Sequence, residues 1–157
     1  MMVAAAPQAG VALIRTKGQT KRTGAMKKKL VAVIEKGPDE GFAITASVPG
    51  LIGSGLTEEE ARVDFMEIVE EQAEYYALQH GQKPWWAGAE VEFRYDLAAF
   101  FAAFPFINVS QFARSIGVNP SLMRKYKQGI AAAGEKQRAV IQQQLSQLIG
   151  RLELVQF

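Results

Sequence analysis

The chain has 157 residues, of which 48% are hydrophobic and 22% charged, the balance of a folded protein and not of a solvated coil. Cysteine is absent, which excludes disulfides and thiolate metal sites, and a reducing compartment is expected. The formal net charge of +2 conceals a segregation: residues 1–29 hold seven Lys/Arg and no acid, residues 30–96 hold four against fourteen Asp/Glu, and residues 97–157 hold seven against two. Such blocks point to different partners for the two halves, with polyanions suited to the second.

Residues 1–26, rich in Ala, Gly, Gln and Lys without periodicity, read as a disordered arm. Their apolar part precedes the basic residues, the reverse of a secretion signal, so a cytoplasmic location is expected. Met26 opens the folded stretch and is a candidate initiator. Residues 30–36 are β-branched and apolar, a predicted strand. Gly37-Pro38-Asp39-Glu40-Gly41 is turn chemistry, and residues 42–48 then alternate, with Phe42, Ile44, Ala46 and Val48 on one face, completing a hairpin. A glycine-rich bend over residues 49–55 has room for a brief third strand. Thr57 with Glu60 forms a capping box that opens a helix placing Ala61, Phe65, Ile68, Val69 and Tyr76 at helical spacing. That helix is expected to end near His80-Gly81, where His80 is read as a C-terminal capping residue and not as a ligand or base. Pro84 forbids continuation, and Val91, Phe93 and Tyr95 alternate with charged residues in a further strand.

Beyond Asp96 the pattern becomes helical. The longest apolar stretch, residues 97–107, is broken by Pro105 and too short to span a bilayer. Helices are predicted over residues 97–104 and 135–149, the latter with Ile141, Leu145, Leu148 and Leu152 on one face, and residues 153–157 are a candidate short strand. Between them, residues 109–128 fit a helix-turn-helix. Ala113 is small where two steeply crossing helices touch, Gly117 permits a sharp turn, Asn119 is a good N-cap, and Pro120 suits the first helical position. Phe112, Ile116, Val118, Leu122, Met123 and Tyr126 supply the apolar anchors. In such a unit the second helix enters the major groove. The candidate DNA-binding residues are therefore Ser110, Gln111, Arg114, Asn119, Pro120, Ser121, Arg124, Lys125, Lys127 and Gln128. Arg124 or Lys125 suits guanine and Ser121 a base or phosphate, while Arg114 and Lys127 are better placed for backbone phosphates.

Over residues 27–157 the chain resembles HicB-type antitoxins of type II toxin–antitoxin systems. The resemblance rests on the first strand, on Phe42-Ala43-Ile44-Thr45-Ala46-Ser47-Val48-Pro49-Gly50, on Gly55-Leu56-Thr57-Glu58-Glu59-Glu60-Ala61, and on the helix-turn-helix that follows. Val91-Glu92-Phe93-Arg94-Tyr95-Asp96-Leu97 and the ending Leu154-Val155-Gln156-Phe157 look like a subgroup of that family. It departs from the pattern after Gly129, where Ile130-Ala131-Ala132-Ala133 stands in place of a more polar connection. The resemblance implies an α+β protein. A partial ribonuclease-H-like β-β-β-α-β domain at residues 27–96 would bind and mask a small basic HicA-type toxin that cleaves RNA. An all-helical domain at residues 97–157 would assemble as a homodimer or higher homo-oligomer, bind double-stranded operator DNA and repress the operon. The acidic block suits a partner built to hold RNA.

An enzyme is not expected. Metal-dependent phosphoryl chemistry needs several convergent carboxylates. The first strand offers only Glu35, and most other acids line one helix's solvated side. No metal or other cofactor is expected, and without cysteine or a second histidine neither a nucleophile–histidine pair nor a zinc site is convincing. The alternative is an orphan regulator without a toxin, sensing a ligand through its acidic half, with Trp85 and Trp86 as the first pocket candidates.

Overall fold

The computed structural model describes residues 28–37 and 39–157; the N-terminal arm and Pro38 lie outside the described residues. These form a four-stranded mixed sheet and five helices, an α+β architecture. The strands are β1 (Leu30–Lys36), β2 (Phe42–Ala46), β3 (Ile52–Gly55) and β4 (Val91–Tyr95), in spatial order β3-β2-β1-β4. β1 and β2 pair antiparallel with Ile34 opposite Ile44, β2 and β3 pair antiparallel, and β4 lies parallel to β1 with Ala32 opposite Phe93. The brief third strand is thus one edge of the sheet, and helix α1 (Glu58–His80) carries the chain from that edge to the other.

Strand alternation decides which side chains meet α1. Leu30, Ala32, Ile34, Phe42 and Ile44 are buried on one face, where Ala61, Phe65, Val69 and Ala73 of α1 cover them. Val31, Val33 and Thr45, on the opposite face, are half-buried. The helix starts as its sequence dictates. Thr57 Oγ1 accepts from the Glu60 N–H at 3.1 Å, and Glu60 Oε2 accepts in return from the Thr57 N–H at 3.2 Å. At its other end Gly81 takes a left-handed conformation, φ 74°, and its N–H bonds Ala77 O at 2.8 Å. His80 stacks on Tyr76, ring centroids 4.0 Å apart, with Nδ1 3.0 Å from Tyr76 O, a role at the helix terminus.

The remaining helices are α2 (Leu97–Ala103), α3 (Val109–Ser115), α4 (Pro120–Gln128) and α5 (Glu135–Leu152). They gather a second core from Phe101, Val109, Phe112, Ala113, Ile116, Val118, Met123, Tyr126 and Ile141. Helix α2 joins the two cores: Ala99 belongs to the sheet core and Phe101 to the helical one. Two residues along a helix turn the side chain through about 200°, so an all-apolar helix can serve both sides at once. The candidate strand at residues 153–157 does not form. Helix α5 continues to Leu152, and tight turns follow, with the N–H groups of Leu154 and Val155 bonded to Arg151 O and Leu152 O. No helix among the described residues is long and apolar enough to cross a membrane.

Candidate nucleic-acid interface

The geometry of residues 108–129 follows from caps and one small contact. Asn108 caps α3, its Oδ1 accepting from the Gln111 N–H at 2.9 Å. Ala113, wholly buried, lets α4 approach, and the chain reverses through Gly117 at φ 74°. The Val118 N–H closes the turn onto Ala113 O at 2.9 Å. Asn119 then caps α4, its Oδ1 accepting from the N–H groups of Ser121 at 2.8 Å and Leu122 at 3.3 Å, with Pro120 in the first helical position. Gly129, again left-handed, ends α4. Met123 and Tyr126 bury one side of α4 in the helical core, and Leu122 is half-buried beside them.

The opposite side of α4 presents Ser121, Arg124, Lys125 and Gln128, all exposed, the last three standing three, four and seven residues on from Ser121, hence on one face. Arg124 is held between two hydroxyls: Nη1 donates to Ser110 Oγ on α3 at 2.8 Å, and Nη2 to Ser121 Oγ at 3.0 Å. This joins three of the sequence-predicted residues into one unit across the two helices. Gln111 and Arg114 are exposed on α3 next to it. Lys127 is exposed but offset around α4 from the Arg124 face. The exposed Asn119 spends its side-chain oxygen on the cap, which leaves its amide nitrogen as the donor it can offer, and the half-buried Pro120 offers a ring and no N–H.

Electrostatically this face is one-signed. Residues 97–134 contain no Asp or Glu, and among the described residues none of Arg114, Arg124, Lys125 and Lys127 takes part in an ion pair. Ion pairs cluster instead in the sheet half, where Lys29, Arg62 and Arg94 meet Glu58, Glu90 and Glu92. Asn108 was not singled out from sequence, although a short amide directly before an apolar helix is a cap signal. The Arg124–Ser110 bond had no sequence signal, because it spans fourteen positions.

Two hollows mark the sheet half. An open groove of about 640 Å³ runs between β3 and the first half of α1, with Leu56 and Val63 exposed in it and Glu59, Asp64 and Glu67 along it. A smaller cleft of about 310 Å³ lies between Val48-Pro49 and the last turns of α1, lined by Tyr75, Tyr76, Gln72, Gln79, His80 and Trp86. Trp86 is buried there, whereas Trp85 is half-exposed elsewhere with the Lys28 ammonium 4.4 Å from its ring. No group of three or more His, Cys, Asp or Glu among the described residues is placed to hold a metal ion. No protein-family model, curated protein or solved structure matches the chain.

Proposed function

We propose that the chain is a DNA-binding regulator of the HicB antitoxin type, in which α3, the turn at Gly117 and α4 act as a helix-turn-helix. The observation that carries this is the Arg124 guanidinium, fixed by Ser110 and Ser121 in the middle of an acid-free, ion-pair-free basic face. A guanidinium whose rotamer is already set loses less entropy on meeting the acceptor edge of guanine. In this reading α4 lies in the major groove, Arg124 and Lys125 meet bases, Arg114 and Lys127 meet phosphates, and two copies address half-sites about one helical turn apart. The sheet half, a partial ribonuclease-H-like unit, masks a small basic HicA-type toxin. The groove beside β3 supports this by offering apolar side chains with a carboxylate border. The chain acts by binding, in the cytoplasm, without catalysis of its own.

The test is the double substitution Arg124→Ala with Lys125→Ala, read by gel shift on the DNA upstream of the chain's own reading frame. Both side chains are exposed, so the melt and the capture of a small basic partner should be unchanged while operator binding falls by about a hundredfold or more. A normal shift by the double variant at physiological salt would sink the assignment of α4. The cleft at Trp86 favours a second reading, an orphan regulator that senses a small molecule. Tryptophan fluorescence then responds to a ligand with no protein partner present, and no small basic protein co-purifies from native cells.

A further inference from the structure

In the groove between β3 and the first half of α1, Leu56 and Val63 stand 75% and 56% exposed. The acids around them divide by task. Glu60 closes the capping box and also accepts from the Leu56 N–H at 2.9 Å, and Asp64 accepts from the Ser54 N–H at 2.7 Å. Those two N–H groups of the sheet edge are therefore not open to a further strand. Glu59 and Glu67 are exposed and take part in no ion pair among the described residues. The groove suits an occupant that brings apolar side chains with cations beside them, and that is held by its side chains.

The chain carries such a segment itself. Residues 1–27 hold five Lys/Arg and no Asp or Glu, and the run Val11-Ala12-Leu13-Ile14 is followed by Arg15, Lys17, Lys21 and Arg22. Its point of attachment is within reach. Leu30 opens β1, Lys36 closes it opposite Phe42, and Phe42 stands opposite Gly55 at the groove. The path from Leu30 to the groove is thus about 20 Å along the strands and about 10 Å across them. About seven extended residues cover that span. Lys17, eleven residues before Lys28, has chain to spare. A tethered segment also meets its site at an effective concentration on the order of millimolar, so even weak contacts populate the bound form. We propose that residues 11–22 of this chain lie in its own groove, Val11, Leu13 and Ile14 against Leu56 and Val63, with Lys17 and Lys21 facing Glu59 and Glu67. The arm covers the groove until a basic partner displaces it, and that consequence alone rests on the toxin-masking reading above.

The full chain, without DNA or any partner, tests this by paramagnetic broadening of its amide signals. Because the chain has no cysteine, Gln19→Cys gives a single site for a nitroxide in the arm. The amide signals of Ser54, Leu56, Val63 and Glu67 should lose most of their intensity and regain it when the nitroxide is reduced. Those of exposed Gln142 and Gln143 on α5 should keep theirs. Glu59→Lys with Glu67→Lys changes two exposed positions, so circular dichroism should be unaltered while the groove signals return to full intensity. Adding Lys17→Glu with Lys21→Glu should broaden them again, because the exchanged charges once more attract. Full groove intensity beside the wild-type arm overturns the proposal, as does broadening that ignores the Glu59/Glu67 reversal or an exchange that fails to restore it. So does broadening of a spin-free, isotope-labelled chain by added spin-labelled copies, since the arm in the groove would then be another molecule's. With no toxin or DNA present, the result stands apart from whether α4 reads an operator or a small basic partner exists.

Discussion

At Gly53 the backbone of β3 runs so close to α1 that an added Cβ would stand 2.5 Å from Phe65 Cα, and at Gly55 one would stand 2.5 Å from the Ala61 nitrogen. Both obstacles are backbone, so no rotamer change relieves them, and α1 would have to lift from the sheet. Gly53→Ala should therefore lower the unfolding free energy by about 1–3 kcal/mol, even though alanine is normally the better residue in a strand. A urea melt with an unchanged midpoint would mean that the helix can move away at no cost. A second residue-scale anchor ties the far edge of the sheet to the same helix. Tyr95 Oη donates to Glu58 Oε1, which also accepts from Arg62 Nε at 2.8 Å, and the Arg62 guanidinium lies 4.3 Å from the Phe93 ring. Burial, then the hydrogen bond to Glu58, pushes the Tyr95 phenol above its usual range, so it stays protonated and donating at neutral pH.

The elements of the second half can be tested separately for shape and for charge. Asn119→Asp keeps an oxygen acceptor for the Ser121 and Leu122 N–H groups and adds a negative charge at the positive end of α4. Stability should hold or rise by a few tenths of a kcal/mol. Under the proposed function DNA binding should nonetheless fall about tenfold, because a carboxylate would stand at the start of the helix proposed to enter the groove and repel the phosphates. Equal DNA affinity in the variant would place the nucleic acid elsewhere. These caps and turns were legible in the sequence because such signals are local: Thr57 with Glu60, Asn119 with Pro120, and the glycines at 81 and 117 act on close neighbours, whereas the left-handed Gly129 that ends α4 was not read. The strand-like run at residues 153–157 misled for the complementary reason. Leu154 and Val155 have strand character, but a strand needs a paired edge, and here the segment simply turns after α5. The seven-residue α2 was readable as a helix, but its place as the joint was not, since all-round apolarity says that a helix is buried without saying between what. The Arg124 clamp escaped for the same reason, being set by how α3 and α4 pack.

At the scale of the whole molecule, charge follows architecture: the acids crowd the sheet half, and the stretch from α2 to the turn before α5 holds none. A basic face without internal carboxylate partners reaches DNA with its charge uncompensated, so binding should be dominated by release of the counterions condensed on the phosphates. With Arg114 and Lys127 each neutralising about one phosphate, log K should fall against log salt with a slope of roughly −2 per copy. Raising salt from about 50 to about 200 mM would then weaken binding on the order of tenfold per copy engaged. Removing Lys127, which stands off the base-facing side, should lessen the slope by about one unit and lower affinity alike on all sequences. Under the proposed function, in which the clamped Arg124 reads a base edge, its removal should instead lower affinity mainly on the operator. A flat salt response would mean that the basic face is merely solvated and that the acid-free stretch serves another partner. Equal losses of operator preference from the two substitutions would mean that Arg124, for all its fixed geometry, contributes only charge.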